Sequence, residues 1–143
     1  MGSVVLLYGS GTLGLGGGAM AETAVGIATA KVELGVAEAF FRGILCNALV
    51  CLAIWLSMAA HTVAGKSIAI IFPISAFVAL GFEHSVANMY LIPIGWLAGA
   101  DSVTASGFVG NLVPVTLGNI VGGGVFVALT YWIAYRKGRD EYS

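Results

Sequence analysis

The chain has 143 residues, of which 59% are hydrophobic and only 9% are charged, and its mean hydropathy is +0.97. A soluble domain carries about 25% charged residues, so this composition excludes a water-solvated globular protein and predicts an integral membrane protein. The net charge of -1 offers no basic surface for nucleic acid. The two cysteines lie in an apolar run, which predicts buried thiols rather than a disulfide or metal framework.

The first apolar segment, residues 1–15, is short and rich in glycine, whereas a complete crossing takes about 20 residues. We predict that it is the end of a helix. Its stretch Gly9-Ser10-Gly11-Thr12-Leu13-Gly14 matches the spacing of a dinucleotide-binding loop. Glycine is frequent in this chain and no alternation of strands and helices follows, so a helix end is favoured over a nucleotide site. Residues 16–34 then predict a loop or an interfacial helix.

The first complete span is predicted at residues 36–60. Within it, Glu38 precedes Arg42 by four residues, the favourable order for an ion pair along one helix face. Lys31 would share that face if the helix started early. Two interpretations of these charges stay open: an interfacial pair whose arginine reaches the headgroups, or a charged vestibule. Asn47 lies deeper and needs a partner from another helix, a pore or a water.

The hydrophobic segment at residues 67–100 would form a straight helix about 51 Å long, against a hydrocarbon core of about 30 Å. A polar cluster that contains Glu83, His84 and Asn88 lies between its two halves. We therefore predict two half-helices that meet near the middle of the membrane, around Gly81 to Ser85. Irregular backbone at that depth must be buried in protein or line a cavity, and discontinuous helices recur in transport sites.

The last hydrophobic segment covers residues 107–135, and Pro114 is predicted to separate a short piece from a longer helix. Glycines at 118, 122, 123 and 124 leave one flank of that helix flat, which allows close packing between helices or protomers. The tail, residues 136–143, contains three basic residues. A short polar turn is predicted at residues 61–66, and with three crossings after Lys31 this turn, with Lys66, lies on the same side of the membrane as the tail. The positive-inside rule therefore predicts that the tail is cytoplasmic.

A histidine inside the membrane is consistent with three classes of protein. The first is a channel or transporter: an imidazole, with an unperturbed pKa of about 6.5, could give a proton to a weak-acid anion, and Phe77 is placed to form an apolar constriction. The second is an intramembrane enzyme, which the adjacent positions of His84 and Ser85 disfavour because neighbours on a helix point about 100° apart. The third is a structural or assembly subunit, in which His84 only forms an interhelical hydrogen bond.

Three longer motifs are Phe41-Arg42-Gly43-Ile44-Leu45-Cys46-Asn47, Gly81-Phe82-Glu83-His84-Ser85-Val86-Ala87-Asn88-Met89 and Asn111-Leu112-Val113-Pro114-Val115-Thr116-Leu117-Gly118-Asn119-Ile120-Val121-Gly122-Gly123. In order and spacing they resemble the formate/nitrite transporter family, from about Val4 onward. The resemblance implies an all-α, aquaporin-like bundle of six helices in two inverted repeats, with a broken fifth helix. It further implies a homopentamer with one pore per protomer, no cofactor and no enzymatic activity.

By motif match, the resemblance implies that His84 is the central pore histidine, Phe77 a constriction residue and Lys31 the vestibule lysine that draws anions in. Asn47 and Val50 would line the pore from the fourth helix. The implied substrates are small monovalent anions such as formate, nitrite or hydrosulfide, often moved together with a proton. With the polar residues of the break included, the candidate pore residues are His84, Phe77, Asn47, Val50, Lys31, Glu83 and Asn88.

The resemblance covers the C-terminal half of the family's protomer, from the end of the third helix through the sixth. The missing part includes the broken second helix, whose loop carries a threonine opposite the histidine. We therefore expect residues 1–143 to be a partial transporter domain, a truncated fragment that does not transport by itself. A separately encoded N-terminal half is the alternative. The expected location is the inner or plasma membrane, with several crossings of the bilayer.

Overall fold

The computed structural model describes residues 2–140, with side chains up to Arg136. Regular structure in this range is helical. The elements are α1 (Gly2–Gly9), a 3-10 segment (Thr12–Gly18), α2 (Ala19–Val32), α3 (Val36–Ala59), α4 (Val63–Ala79), α5 (Ser85–Leu97), α6 (Ala105–Ile120), a π-helical segment (Val121–Leu129) and α7 (Thr130–Asp140). Of the predicted tail, the part up to residue 140 continues α7, and 141–143 lie outside the described residues.

Within residues 2–140, two continuous helices are long and apolar enough to cross a membrane. One is α3, with 24 residues; the other runs for 32 residues, Ala105–Arg136, through α6 and the π-helical segment into α7. The predicted separation at Pro114 is therefore wrong, because this proline lies inside α6. A proline removes one main-chain hydrogen bond. Burial of Asn111 and Val115 on either side of it keeps the helix continuous.

The hydrophobic run at 67–100 is interrupted where a break was predicted, since α4 ends at Ala79 and α5 begins at Ser85. Gly81 has φ 65°, a left-handed conformation that glycine adopts without steric penalty. Helix α4 starts earlier than the run, at Val63, because the Thr62 hydroxyl accepts a hydrogen bond from the Gly65 amide at 3.0 Å. The two prolines of the run lie inside α4 and α5.

The N-terminal segments form a bent pair: Gly2–Gly9 and Thr12–Val32 meet at 48°. Residues 19–32 form the regular helix α2, which packs on α5. A turn before Val36 separates α2 from α3, so Lys31 and Glu38 lie on different helices rather than on one shared face.

Helix α3 packs between α4 and α6. One glycine on α6 and one on the following π-helical segment let the backbone there approach that of α3 closely. A Cβ added at Gly118 would overlap the carbonyl oxygen of Phe40, and one added at Gly122 would overlap that of Ile44. The prediction of close approach is thus confirmed at Gly118 and Gly122, whereas a Cβ at Gly124 would meet no heavy atom within 4 Å.

We expect Gly118→Ala to lower the free energy of unfolding by about 1–3 kcal/mol, because an overpacked contact forces the backbones apart. Gly124→Ala is the matched control: its Cβ would meet no heavy atom within 4 Å, so we expect a change within about 1 kcal/mol. Thermal unfolding of the purified chain in one detergent compares the two. Equal destabilisation by both substitutions would contradict the close seam between α3 and α6.

The buried side chains of α3 are small, α5 and α6 bury the larger Ile92 and Val115, and many other large apolar side chains are exposed. Ala39, Cys46 and Ala53 are buried on α3, whereas Phe72 on α4 is 72% exposed. Among the described residues of α4, none is buried. An apolar exterior of this kind suits lipid or further helices. The outer face of α4 is not covered by any other described helix of this chain.

Candidate functional site

A cavity of about 360 Å³ lies beside the break between α4 and α5. Its wall is mostly apolar and includes Phe77. Its charged and polar members are Lys31, Glu83, His84 and Asn88. A largely apolar cavity with a few converging polar groups is the usual form of a small-ligand site.

Five of the seven candidate pore residues line this cavity, and the remaining two, Asn47 and Val50, lie outside the set that lines it. The Asn47 side-chain amide instead donates a hydrogen bond to the main-chain oxygen of Asn119, at 2.6 Å. Val50 is half-buried on α3. The structure therefore assigns Asn47 to the seam between α3 and α6 rather than to the space around His84.

His84 is the residue immediately before α5 and has an extended backbone, with φ -116° and ψ 117°. Its Nδ1 accepts a hydrogen bond from the Ala87 amide at 3.4 Å, which caps the helix. With Nδ1 acting as the acceptor, a neutral ring carries its proton on Nε2. The ring is half-buried, and its centroid lies 6.2 Å from that of Phe77. The imidazole thus borders the cavity beside an aromatic side chain.

Lys31 and Glu83 form an ion pair inside the protein, with Nζ and Oε1 at 2.8 Å and side-chain exposures of 14% and 5%. The other carboxylate oxygen of Glu83 accepts a hydrogen bond from the Asn88 side chain at 2.6 Å. The positive charge of Lys31 therefore already has a carboxylate partner. The role of Lys31 as the vestibule lysine that draws anions in stays a prediction.

Two asparagines extend this pair into a closed ring of contacts. The Asn88 amide also donates to Oδ1 of Asn111 at 2.7 Å, and the Asn111 amide donates to the main-chain oxygen of Lys31 at 2.7 Å. The ring joins the end of α2, the start of α5 and the middle of α6. Polar groups that pair in this way are buried at a lower cost than unpaired ones, and among the described residues Oδ1 of Asn88 is the buried side-chain atom left without a partner.

Arg42 holds the other side of the break. Its Nη1 donates to the Gly81 carbonyl at 3.0 Å, and its Nη2 pairs with Glu38 at 2.5 Å, as the spacing of four residues predicted. Its main-chain oxygen accepts from the Glu83 amide at 3.4 Å. The break lacks the regular main-chain hydrogen bonds of a helix, and Arg42 on α3 instead binds its Gly81 carbonyl and its Glu83 amide.

Sequence reasoning missed four residues that hold the break: Arg42 as a partner of its backbone, Ser85, Asn111 and Asn119. A carboxamide in an apolar run needs a hydrogen-bonding partner. This rule applies to Asn111 and Asn119 on α6 as it does to Asn47, and it is the signal that indicates both of them. Their partners are distant in sequence, so the contacts themselves require the fold.

A sequence profile described as "Formate/nitrite transporter" matches residues 1–133. The chain is 56% identical over 114 residues to the "Probable formate transporter" of Methanothermobacter thermautotrophicus, covering 78% of this chain and 41% of that protein. It is 37% identical over 157 residues to "Formate channel FocA" of Escherichia coli (strain K12), covering 97% of this chain and 55% of that one. The chain thus spans about half the length of these curated relatives.

The fold is also similar to a solved structure titled "Pentameric formate channel with formate bound". The TM-score is 0.85 at 35% sequence identity, and the match covers 92% of this chain and 59% of that one. The helical arrangement described above is therefore that of a known class of membrane channels.

Proposed function

Because the chain belongs to the formate/nitrite transporter family and is a multi-pass membrane protein, we propose that it forms part of a passage for a small monovalent anion such as formate, nitrite or hydrosulfide. The observation that carries this proposal is the cavity beside the break, where His84, Phe77 and the Lys31–Glu83 pair meet. Formate transport by the relatives named above supports the choice of anion.

In the proposed mechanism, His84 in its protonated form gives a proton to the anion in the cavity. The anion becomes a neutral acid, which passes an apolar constriction at a lower desolvation cost than the ion. The neutral imidazole then takes up a proton from water for the next cycle. The protonated ring carries a proton on both nitrogens, whereas the hydrogen bond from the Ala87 amide needs an unprotonated Nδ1. The neutral ring that remains after the transfer, with its proton on Nε2, can form that hydrogen bond.

The charges of Lys31 and Glu83 cancel, so this pair adds no net charge to the cavity before an anion enters. An arriving anion would compete with the Glu83 carboxylate for the ammonium group of Lys31, 2.8 Å away. Attraction that is balanced in this way favours entry without trapping the ion, as conduction requires.

A complete passage needs a second wall. Residues of α2 and α5 contribute to the cavity lining, and on this α2–α5 face a smaller cavity of about 150 Å³ shares Ile27 and Leu91 with it. We propose that polypeptide equivalent to the remaining half of the relatives' length covers this face, either joined to this chain or encoded separately. By similarity to the pentameric formate channel, the covered protomers would assemble as a homopentamer.

We further propose that the protein lies in the inner or plasma membrane with its C-terminal end in the cytoplasm. Support comes from Lys66 and the basic residues of the tail, which lie on one side of the predicted crossings.

A hybrid channel tests the proposed activity. In the hybrid, the part of the Escherichia coli formate channel that has no counterpart here precedes this chain, and the protein is reconstituted in liposomes. We expect saturable uptake of formate and of at least one of nitrite and hydrosulfide, and no uptake of the divalent anion sulfate. A hybrid that assembles without any anion flux would favour the alternative function, a structural or assembly subunit.

A further inference from the structure

Asn119 on α6 contacts both peptide groups that flank His84. Its side-chain nitrogen donates to the carbonyl oxygen of Glu83 at 3.0 Å, in the peptide bond before the histidine. Its side-chain oxygen accepts from the Ser85 amide at 2.9 Å, in the peptide bond after it. One carboxamide thus binds the main chain on either side of the imidazole.

The remaining hydrogen-bonding capacity of this carboxamide is also used. Its nitrogen donates to the Gly43 carbonyl on α3 at 2.9 Å, and its oxygen accepts from the Ser85 hydroxyl at 3.0 Å. A carboxamide offers two N–H donors and two acceptor sites, so all four are used. Both carbonyl partners face the nitrogen, and the Ser85 amide faces the oxygen. These partners fix the positions of the nitrogen and the oxygen within the Asn119 carboxamide.

These contacts matter because His84 lies in irregular backbone between two half-helices. Such backbone holds one conformation at this depth only where protein groups satisfy it. With both flanking peptide groups bound to Asn119, the direction of the Cα–Cβ bond of His84 is fixed. Only the side-chain torsions then remain to bring Nδ1 to the Ala87 amide.

We propose that Asn119 is a positioning residue that sets the orientation of the His84 imidazole in the cavity, by binding the two peptide groups on either side of it. The proposal rests on the proposed role of His84 as proton donor. It concerns a residue that lies outside the cavity lining, is only 7% exposed, and acts through the backbone rather than on the anion.

Nitrogen NMR of the histidine ring tests this without requiring transport. The full chain is studied in lipid nanodiscs with ¹⁵N-labelled histidine and the background substitution His61→Gln, so that His84 gives the only imidazole signals. We expect the parent chain to show one tautomer, with Nδ1 unprotonated. In Asn119→Ala we expect that single state to be lost, with both ring nitrogens showing mixed or averaged tautomer signals.

Asn47→Ala is the matched control, because it removes a carboxamide that bonds the main-chain oxygen of Asn119 and neither peptide group beside His84. We expect its His84 signals to equal those of the parent. If Asn119→Ala does not fold, Asn119→Asp serves instead: it fills the same volume, keeps the acceptor for Ser85 and loses both donors. A folded Asn119 variant with parental His84 signals would overturn the proposal.

Flux by the hybrid gives the second readout. We expect Asn119→Ala to lower the maximal rate per folded protein by about tenfold or more, since small displacements of a reacting group have effects of that size. A rate equal to the parent's would overturn the positioning role. An inactive parent hybrid would instead overturn the proposed function, and the NMR result would distinguish the two failures.

Discussion

Replacing His84 with glutamine is expected to reduce formate uptake by the hybrid channel by about 100-fold or more, the scale on which positioned acid–base groups contribute. Glutamine keeps a polar side chain in the cavity but cannot give up and regain a proton near neutral pH. The anion would then have to cross the apolar constriction in its charged form, which is far more costly than crossing as a neutral acid. Initial rates of uptake, with a pH-sensitive dye inside the liposomes, measure formate and proton movement together.

His61→Gln is the control for this experiment. It is the same substitution at the other histidine, which is exposed just before α4, and we expect it to leave uptake unchanged. If His84→Gln transported formate at the parent rate, with protons still entering alongside, the imidazole would not be the proton donor.

Separating the charges of Lys31 and Glu83 is expected to give the largest change in stability. Both side chains are nearly buried, and removing one member of such a pair leaves an uncompensated charge, which costs about 3–5 kcal/mol. We expect Glu83→Gln and Lys31→Met each to lower the free energy of unfolding by this amount. The double variant should recover most of the loss, because no unpaired charge remains. Denaturant unfolding of the purified chain in detergent measures all three.

Glu38→Gln provides the comparison with an exposed pair. Its carboxylate is 53% exposed and its partner Arg42 is 37% exposed, and surface pairs contribute about 0–1 kcal/mol. An effect of Glu83→Gln no larger than that of Glu38→Gln would mean that the ion pair at the cavity is hydrated and does not hold the break together.

The overall architecture could be predicted from the sequence because membrane crossings follow from simple lengths. A run too long for one crossing, with glycine and polar residues in its middle, indicated a break, and the structure has one between α4 and α5. The spacing of Glu38 and Arg42 likewise indicated their pair. These features depend on residues that lie close together in the sequence, so they can be predicted without knowledge of the fold.

The site itself could be predicted only in part, because its decisive contacts join distant residues. Glu83 lies 52 residues after Lys31, and no local pattern indicates that they pair. The same holds for Asn119, whose partners come from α3 and from the break. Pro114 illustrates the opposite error: a strong local signal for a helix end was overridden by packing of α6 against α3.

The residues around the His84 cavity are proposed to form one wall of an anion passage, and a complete passage requires a second wall. Formate uptake by liposomes that contain the 143-residue chain alone, compared with liposomes that contain the hybrid, tests it most directly. We predict uptake at the level of protein-free liposomes for the chain alone and saturable uptake for the hybrid. Saturable formate uptake by the chain alone, at a rate per protein equal to that of the hybrid, would contradict the claim.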